Sequence, residues 1–202
     1  FDVIVLESGK PLFLVDVIPG NAFVVYRQSD SVKLALGKGQ WYIAEEDSVY
    51  QRADLIVLKK KLYSKYIPSD YRNKIRVIEN GLGFSQILSD VNPYLEKSRN
   101  AIYVGLHRLD VNTLKIILEK NPHIDFHLVG PCLGTIQGKL LRKKYANFFF
   151  HGFLERSSFL PMIKYADLAF FPFRRSESMK WYGLTSKYLH FMYFNLPIVS
   201  LS

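Results

Sequence analysis

The fold is decided by residues 183–199, which read Gly-Leu-Thr-Ser-Lys-Tyr-Leu-His-Phe-Met-Tyr-Phe-Asn-Leu-Pro-Ile-Val. A hydroxyl from Thr185 or Ser186 can cap a first helical turn, and the residues after it are too apolar for a surface helix. Asn195 tolerates the left-handed conformation at which helices often end, and Pro197 cannot continue a helix. We therefore predict a buried helix over 184–194 and a strand over 198–201.

Two polar side chains, Lys187 and His190, interrupt this apolar helix one turn apart on the same face. They lie just beyond a helix start, where unpaired N–H groups and the helix dipole favour an anion. A phosphate could there meet backbone donors, a hydroxyl and an ammonium together. The alternative is a lysine that reaches solvent and a hydrogen-bonded core histidine. The spacing alone leaves both interpretations open.

The composition indicates a folded chain that buries a large core, as one large domain or two small ones, because 49% of its 202 residues are hydrophobic. Both ends look cut from a longer protein. The single cysteine, Cys132, excludes an internal disulfide and a zinc site of several cysteines. No apolar run is long enough to span a bilayer.

The formal net charge of +9 and the aromatic content of 15% point to an anionic partner. Basic clusters such as 59–61 and 142–144 lie beside tyrosine and phenylalanine. This mixture suits an anionic membrane surface, phosphorylated substrates or nucleic acid, or else a merely solvated basic face. Nucleic acid is the weakest of these, since no helix carries a regular basic stripe.

Apolar runs alternate with helical patterns along the whole chain, which is typical of doubly wound α/β folds with parallel sheets. The predicted strands are residues 3–6, 23–26, 55–58, 75–78, 101–104, 125–129, 147–150, 168–171 and 198–201. The predicted helices are residues 11–18, 44–52, 60–66, 111–121, 136–144, 157–165 and 184–194.

A break in the pattern over 81–100, rich in glycine, asparagine and proline, suggests two domains. We predict the later part of a first Rossmann-like domain over 1–95 and most of a second one over 96–202. Ligands of such sheets collect at the carboxyl ends of the strands. The loops to inspect begin at Gly105 and His107, at Gly130, at 151–154 with Phe153 and Leu154, and at 172–177 with Phe173.

Several segments resemble GT-B glycosyltransferases. The sequences at 104–105, 127–130, 150–152, 166–172 and 195–199 resemble their C-terminal, nucleotide-binding half, and Val-Ile-Glu-Asn-Gly at 77–81 resembles the end of their N-terminal half. The resemblance covers nearly the whole chain. It implies two Rossmann-like sheets, the first only partly present, and a nucleotide sugar bound by the second.

Within GT-B, the sequence resembles the membrane-associated β-glucuronosyltransferases of the xanthan pathway at 6–9, at 185–190 and most specifically at Tyr-Arg-Gln-Ser-Asp, residues 26–30. The resemblance implies inverting transfer from a UDP-sugar, possibly UDP-glucuronic acid, to a lipid-linked or oligosaccharide acceptor. It places the catalytic base on Asp30, the diphosphate on Lys187, a neighbouring polar contact on His190 and an aromatic nucleotide contact on Phe173.

The chain also departs from these families. The junction at 80–83 lacks a family aspartate, and Phe153-Leu154 replaces the Glu-Met pair of the base-binding loop, which leaves the preferred nucleotide or sugar open. Retaining GT-B enzymes usually carry a glutamate where this chain has His190, so the pattern favours inversion. Glu177 could still substitute for the upstream glutamate of a retaining motif.

The residues support an inverting transfer independently, since that reaction needs a carboxylate to take the acceptor proton. Asp30 follows a predicted strand, although an aspartate there commonly caps a helix. Glu7 has the same position after the first strand and is the reserve base or an acceptor contact. No metal site is evident among the five histidines, so no cofactor is expected. The diphosphate charge then falls to Lys187 and helix-start amides, with Arg174 or Arg175 as further candidates.

The expected partners are therefore a UDP-sugar, a lipid-linked or oligosaccharide acceptor and an anionic membrane surface, without nucleic acid. We expect a cytoplasmic protein at the inner face of the cell membrane. A non-catalytic nucleotide-sugar sensor on the same scaffold is the rival from another class, since a fold does not fix a function. Asp54 and Asp167, each within Ala-Asp-Leu before a strand, are expected to be structural.

Overall fold

The structure is a computed structural model that describes residues 2–8, 12–29, 40–59, 61–83, 90–105, 109–172 and 186–200. It leaves the side chains of residues 40–44, 62, 135 and 186 undescribed. The described chain divides into two compact units, one ending at Asn80 and the other beginning at Gly81.

The first unit is a four-stranded parallel sheet in the order β1-β2-β3-β4. Its strands are β1 (Val3–Glu7), β2 (Phe23–Gln28), β3 (Leu55–Leu58) and β4 (Ile75–Val77). One α-helix, α1 (Gln40–Arg52), and 3-10 helices at Leu12–Val17, Lys61–Tyr66 and Ser69–Lys74 connect them. The core contains Val24, Tyr26, Tyr50, Ile56 and Leu58, all fully buried.

The second unit is a five-stranded parallel sheet in the order β7-β6-β5-β8-β9. Its strands are β5 (Asn100–Val104), β6 (Asp125–Val129), β7 (Phe148–Gly152), β8 (Leu168–Phe171) and β9 (Ile198–Ser200). Its helices are α2 (Val111–Lys120), α3 (Thr135–Lys144), α4 (Arg156–Tyr165) and α5 (Ser186–Tyr193). The strand order reverses between β5 and β8, where doubly wound folds bind ligands.

All nine predicted strands are present, because each is an apolar run with the β-branched and aromatic residues that buried parallel strands require. Helix α5 ends as predicted: Asn195 has a φ of 51°, and Leu196 N donates to Phe191 O to close the terminus. Two of the predicted helices, near 11–18 and 60–66, are 3-10 helices instead.

The residues between the two sheets pack against the second unit. Tyr94 OH donates to Met162 O at 2.7 Å, Tyr165 OH donates to Asp90 O at 2.6 Å, and Arg156 Nη2 donates to Gly83 O at 3.1 Å. The sequence predicted the domain boundary after residue 95, whereas the structure divides the two units after Asn80. The two boundaries therefore differ over residues 81–95. The glycines and proline that suggested a linker belong to a segment held by side-chain contacts far along the chain.

Candidate functional site

A cavity of about 210 Å³ lies at the carboxyl ends of β5 and β6, against α4 and α5. We call it the strand-end cavity. Six residues that the sequence singled out line it together. Its full lining consists of Val104, Gly105, Val129, Gly130, Phe153, Leu154, Phe159, Ile163, Lys187 and His190.

Glycines allow the strand ends to approach one another in this cavity. Gly105 N donates to Val129 O at 2.9 Å, and Gly130, with a φ of 104°, donates from its N to Gly152 O at 2.5 Å. A Cβ at Gly105 would collide with Lys187 Nζ and the Tyr103 hydroxyl. The ammonium therefore lies against the backbone at the end of β5, in space that only a glycine leaves open.

Lys187 is the second residue of α5 and is partly buried. Its Nζ lies 5.7 Å from the centre of the Tyr103 ring, and burial lowers the pKa of Lys187. Within the described part of the chain, no carboxylate lies at ion-pair distance from it. A partly buried cation at a helix start, with no carboxylate beside it among the described residues, favours an anion.

His190, one turn further along α5, contacts Arg156 at the start of α4. Arg156 Nη2 lies 3.3 Å from His190 Nε2, and because a guanidinium can only donate, His190 Nε2 accepts this hydrogen bond. Arg156 Nε is buried and has no hydrogen-bond partner among the described residues. The cavity thus has a second cation close to it that the sequence analysis missed.

The position of Arg156 in the sequence could have identified it as a candidate site residue. It is the first residue of α4, where the positive end of the helix dipole disfavours a cation. A basic residue in that position, after the carboxyl end of a strand, therefore suggests a ligand contact rather than helix stabilisation.

The rest of the cavity wall is apolar, formed by Leu154, Phe159 and Ile163, with Phe153 at its edge. Phe153 is 73% exposed, which is unusual for a phenylalanine that follows a strand of the core. The cavity therefore joins a cationic end to an apolar wall, which suits a ligand that carries both phosphate and a flat or hydrophobic group.

The first unit places a polar cluster at the carboxyl ends of β1 and β2. Arg27 Nη1 lies 3.1 Å from Glu7 Oε2, and Ser29 Oγ donates to Glu7 Oε1. Both Glu7 oxygens are thus engaged by donors. Asp30, the predicted base, follows Ser29 directly and lies outside the described residues.

Next to this strand end lies a buried hydrogen-bond network between α1 and β2, which the sequence did not reveal. Glu46 on α1 accepts from Tyr26 OH at 2.7 Å and from Gln28 Nε2 at 2.6 Å, and Gln28 Nε2 also donates to Tyr50 OH at 2.8 Å. Burial, with the nearby Glu46, raises the pKa of both tyrosines, so both remain protonated. The network ties α1 to β2 immediately before Ser29.

Other predicted contacts cannot be placed. His107, Phe173 and Thr185 lie outside the described residues, as does the side chain of Ser186, the first residue of α5. In the described ranges, no three or more histidine, cysteine, aspartate or glutamate side chains come close enough to hold a metal ion. None of the described helices has the length and apolarity needed to cross a bilayer.

The sequence matches no protein-family model and no curated protein. Solved structures do match the fold. Sucrose-phosphate synthase from Thermosynechococcus elongatus aligns with a TM-score of 0.70 at 15% identity, over 99% of this chain and 56% of its own. The pneumococcal O-GlcNAc transferase GtfA, in complex with UDP and GlcNAc, aligns at 0.61 and 14%, over 99% and 42%. Anabaena HepE in complex with UDP-glucose aligns at 0.60 and 15%, over 98% and 59%.

These similarities show the fold: the chain has the α/β architecture of GT-B glycosyltransferases, with two Rossmann-like parallel sheets. The chain spans between 40% and 59% of the length of these and similar solved structures. The first sheet, with four strands, corresponds to part of a Rossmann-like domain.

Proposed function

We propose that this chain belongs to an inverting, metal-independent glycosyltransferase that transfers a sugar, possibly glucuronic acid, from a UDP-sugar. The observation that carries the proposal is the strand-end cavity, in which Lys187 and the start of α5 form an anion site beside an apolar wall. The GT-B fold and solved structures with UDP or UDP-glucose bound in the same fold support it.

In this proposal the diphosphate lies at Lys187 and the first turn of α5. The departing UDP carries more negative charge than the bound UDP-sugar, so a preorganised cation and backbone N–H groups stabilise the transition state more than the ground state. Arg156, with a buried Nε that lacks a partner among the described residues, can add a second cation. No metal is needed for this charge.

The acceptor hydroxyl loses its proton to Asp30, which follows the carboxyl end of β2, the strand that bears Arg27. Glu7 is the reserve base, but its two oxygens already accept from Arg27 and Ser29. These contacts hold the Glu7 carboxylate in place, which gives Glu7 a positioning role in this proposal. The base is assigned to Asp30 because of the resemblance at Tyr-Arg-Gln-Ser-Asp, residues 26–30.

Binding and turnover separate this proposal from its rivals. Isothermal titration of the full-length protein should detect UDP and a UDP-sugar but no oligonucleotide, and donor hydrolysis or transfer should follow. Binding without turnover on any acceptor supports the non-catalytic sensor. Retained anomeric configuration in the product supports the retaining alternative, with Glu177 as the residue to test.

The acceptor in this proposal is a lipid-linked or oligosaccharide precursor at the inner face of the cell membrane. The outer face of α3 favours a membrane partner. Ile136 and Leu140, one turn apart, are 77% and 63% exposed, and Lys139 and Lys143 flank them on the same side of the helix. An apolar pair between lysines suits an anionic bilayer, where each lysine contributes about 1 kcal/mol.

Liposome sedimentation tests this partner. The full-length protein should bind anionic vesicles, lose binding as salt rises and bind neutral vesicles weakly. Leu140→Asp should reduce binding by about tenfold, since it removes an apolar contact and adds a repelled charge. Ile116→Asp on α2, where Ile116 is 54% exposed, is the matched control and should bind normally. Equal binding to neutral and anionic vesicles would contradict the membrane proposal.

A further inference from the structure

Three polar side chains on adjacent strands of the second sheet form a hydrogen-bonded chain. His127 on β6 places its Nε2 3.1 Å from Asn100 Oδ1 on β5 and its Nδ1 3.0 Å from His151 Nε2 on β7. The sequence shows no metal site among the histidines and predicts His151 in a loop. The structure extends β7 to Gly152, so His151 lies in the strand, diagonally across from His127.

The contacts of Asn100 determine which atoms donate and which accept along these hydrogen bonds. Asn100 Nδ2 donates to Ser98 O at 3.1 Å and to Ser98 Oγ at 2.9 Å, so the amide oxygen is the atom that faces His127. An amide oxygen only accepts. His127 Nε2 must therefore carry the hydrogen and donate to Asn100 Oδ1.

His127 is neutral, so its second nitrogen is an acceptor. The ring is 7% exposed, stacks on Phe149 with centres 4.8 Å apart and contacts Tyr94 at 4.7 Å. Burial and the neighbouring His151 lower the pKa of His127 to about 4. With its hydrogen on Nε2, a neutral His127 has a bare Nδ1, which can only accept the hydrogen of His151 Nε2.

His151 therefore keeps its hydrogen on Nε2, and its Nδ1 is bare. Partial burial of the ring against the sheet, and then the charge of Arg142, lower the pKa of His151, which favours its neutral form. Nothing in the described ranges hydrogen-bonds to His151 Nδ1. The ring is exposed and lines a groove of about 480 Å³ beside α3, together with Lys139, Arg142 and Phe153.

This groove adjoins the strand-end cavity. Phe153 lines both, and Gly130 and Pro131 follow one another from the cavity into the groove. A nucleotide whose phosphates lie at Lys187 can therefore extend its base past Phe153 toward His151. The groove offers an exposed aromatic ring to stack on and one ring nitrogen with a lone pair.

We propose that the Asn100–His127–His151 chain presents His151 Nδ1 as a hydrogen-bond acceptor that selects a base with an imide N–H, such as uracil, over cytosine. This inference rests on the proposed nucleotide-sugar function. Uracil offers N3–H at its Watson–Crick edge, whereas cytosine offers a lone pair at N3, which would face the lone pair of His151. His151 is then a specificity residue, and Asn100 and His127 are positioning residues.

The tautomers can be measured without any ligand. Long-range 1H–15N spectra of the full-length protein at pH 7 should show His127 and His151 both as the Nε2–H form, with unprotonated Nδ1. His151→Phe identifies the His151 signals. A hydrogen on His151 Nδ1 would overturn the proposal, whatever the protein binds.

Asn100→Asp tests whether the chain controls selection. A carboxylate beside His127 favours its imidazolium form, whose Nδ1–H would donate to His151 Nε2 and move the His151 hydrogen to Nδ1. The wild-type protein should bind UDP about tenfold more tightly than CDP, and the variant should lose or reverse that preference. If Asn100→Asp does not fold, His151→Phe serves as the test instead. It keeps a ring beside His127 and should abolish the preference for UDP over CDP. Asn112→Asp, exposed on α2, is the control.

The outcomes separate this inference from the proposed function. If the protein binds UDP but neither variant changes the ratio of its affinities for UDP and CDP, the proposal that His151 selects the base is wrong. The glycosyltransferase proposal then stands. Absence of binding for every nucleotide overturns both, while the spectra still decide the tautomers. A preference for UDP that disappears in His151→Phe and reverses in Asn100→Asp establishes it.

Discussion

The amino ends of the two sheets carry the same contact, in which an aspartate accepts a hydrogen bond from a backbone N–H of a neighbouring strand. In the first unit, Asp54 Oδ2 accepts from Val24 N at 2.8 Å, and in the second, Asp167 Oδ2 accepts from Asn100 N at 2.6 Å. Each aspartate stands in Ala-Asp-Leu and joins the start of its strand to the neighbouring strand. The two sequences use the same contact at the amino ends of their sheets.

The carboxyl ends differ. In the first unit the strand ends hold a carboxylate, Glu7, that is engaged by Arg27 and Ser29. In the second, they surround a cation, Lys187, that has no carboxylate partner among the described residues. The first unit thus places a carboxylate paired with an arginine at its strand ends, and the second places a cation there. In the proposed transfer, the first cluster would serve the acceptor and the second the departing diphosphate.

The strongest test of this comparison is Asp30→Asn in the full-length protein. If the first unit supplies the base, turnover should fall by roughly 10²–10⁴, because general-base catalysis contributes that much. UDP affinity should hardly change, since the donor binds in the second unit. Steady-state kinetics and calorimetry measure the two effects.

Glu7→Gln is the matched control, because it keeps hydrogen-bonding atoms beside Arg27 and Ser29. It should affect turnover less than Asp30→Asn does. If Asp30 merely caps a helix, asparagine replaces it almost fully. Near-normal turnover of Asp30→Asn would then move the search for the base to Glu7.

Lys187→Ala tests the cationic side of the comparison. Loss of a charge-assisted hydrogen bond should weaken UDP binding by about 1–3 kcal/mol, or roughly 5- to 150-fold. Calorimetry measures it, with Lys120→Ala on α2 as a control that should bind normally. Unchanged affinity in Lys187→Ala would remove Lys187 from the site.

Gly105→Ala tests whether the position of the Lys187 ammonium matters, without changing any charge. The added methyl group collides with Lys187 Nζ and the Tyr103 hydroxyl, so the ammonium must move. We expect UDP to bind about tenfold more weakly, the effect of misplacing one charged hydrogen bond. Gly20→Ala in the first unit meets no atom within 4 Å and should bind like the wild type. Equal affinities for both variants would contradict a role for this close approach.

Acid should affect the second unit more than the first, because all five histidines lie beyond residue 106. The pKa of His127 is about 4 in the folded chain, below its ordinary value of 6.5, so the unfolded chain binds the extra proton first. The free energy of unfolding should therefore fall as the pH drops below that ordinary value. His127 alone contributes about 1 kcal/mol between roughly pH 6.5 and pH 5.5.

Urea denaturation over this pH range measures the effect. His127→Phe, which can still stack on Phe149, should be less stable at neutral pH but should flatten the pH dependence. An unchanged slope in this variant would show that other groups cause the acid sensitivity.

Local sequence was sufficient for the elements of the fold. Parallel strands buried on both faces must be apolar runs, so all nine could be predicted. The end of α5 could be predicted because few residues besides glycine and asparagine accept the φ that Asn195 adopts. Lys187 could be named as a candidate anion contact because a helix start and a nearby ammonium are neighbours in sequence, and that contact stays a prediction. The meeting of Gly105, Phe153 and Lys187 in one cavity followed from the rule that ligand loops gather at strand ends.

Only the tertiary structure decided the contacts between distant residues. Glu46 is buried, and its Oε1 accepts from Tyr26 and Gln28, which lie on another element. Arg156 meets His190, and His127 meets His151, across 34 and 24 positions of the chain. A single side chain carries no record of such a partner, since local propensity and periodicity describe only neighbours along the chain. The sequence by itself determined where strands and helices lie and which residues to test for an anion contact, whereas the protonation and pairing of the buried polar groups depend on packing that brings separate strands together.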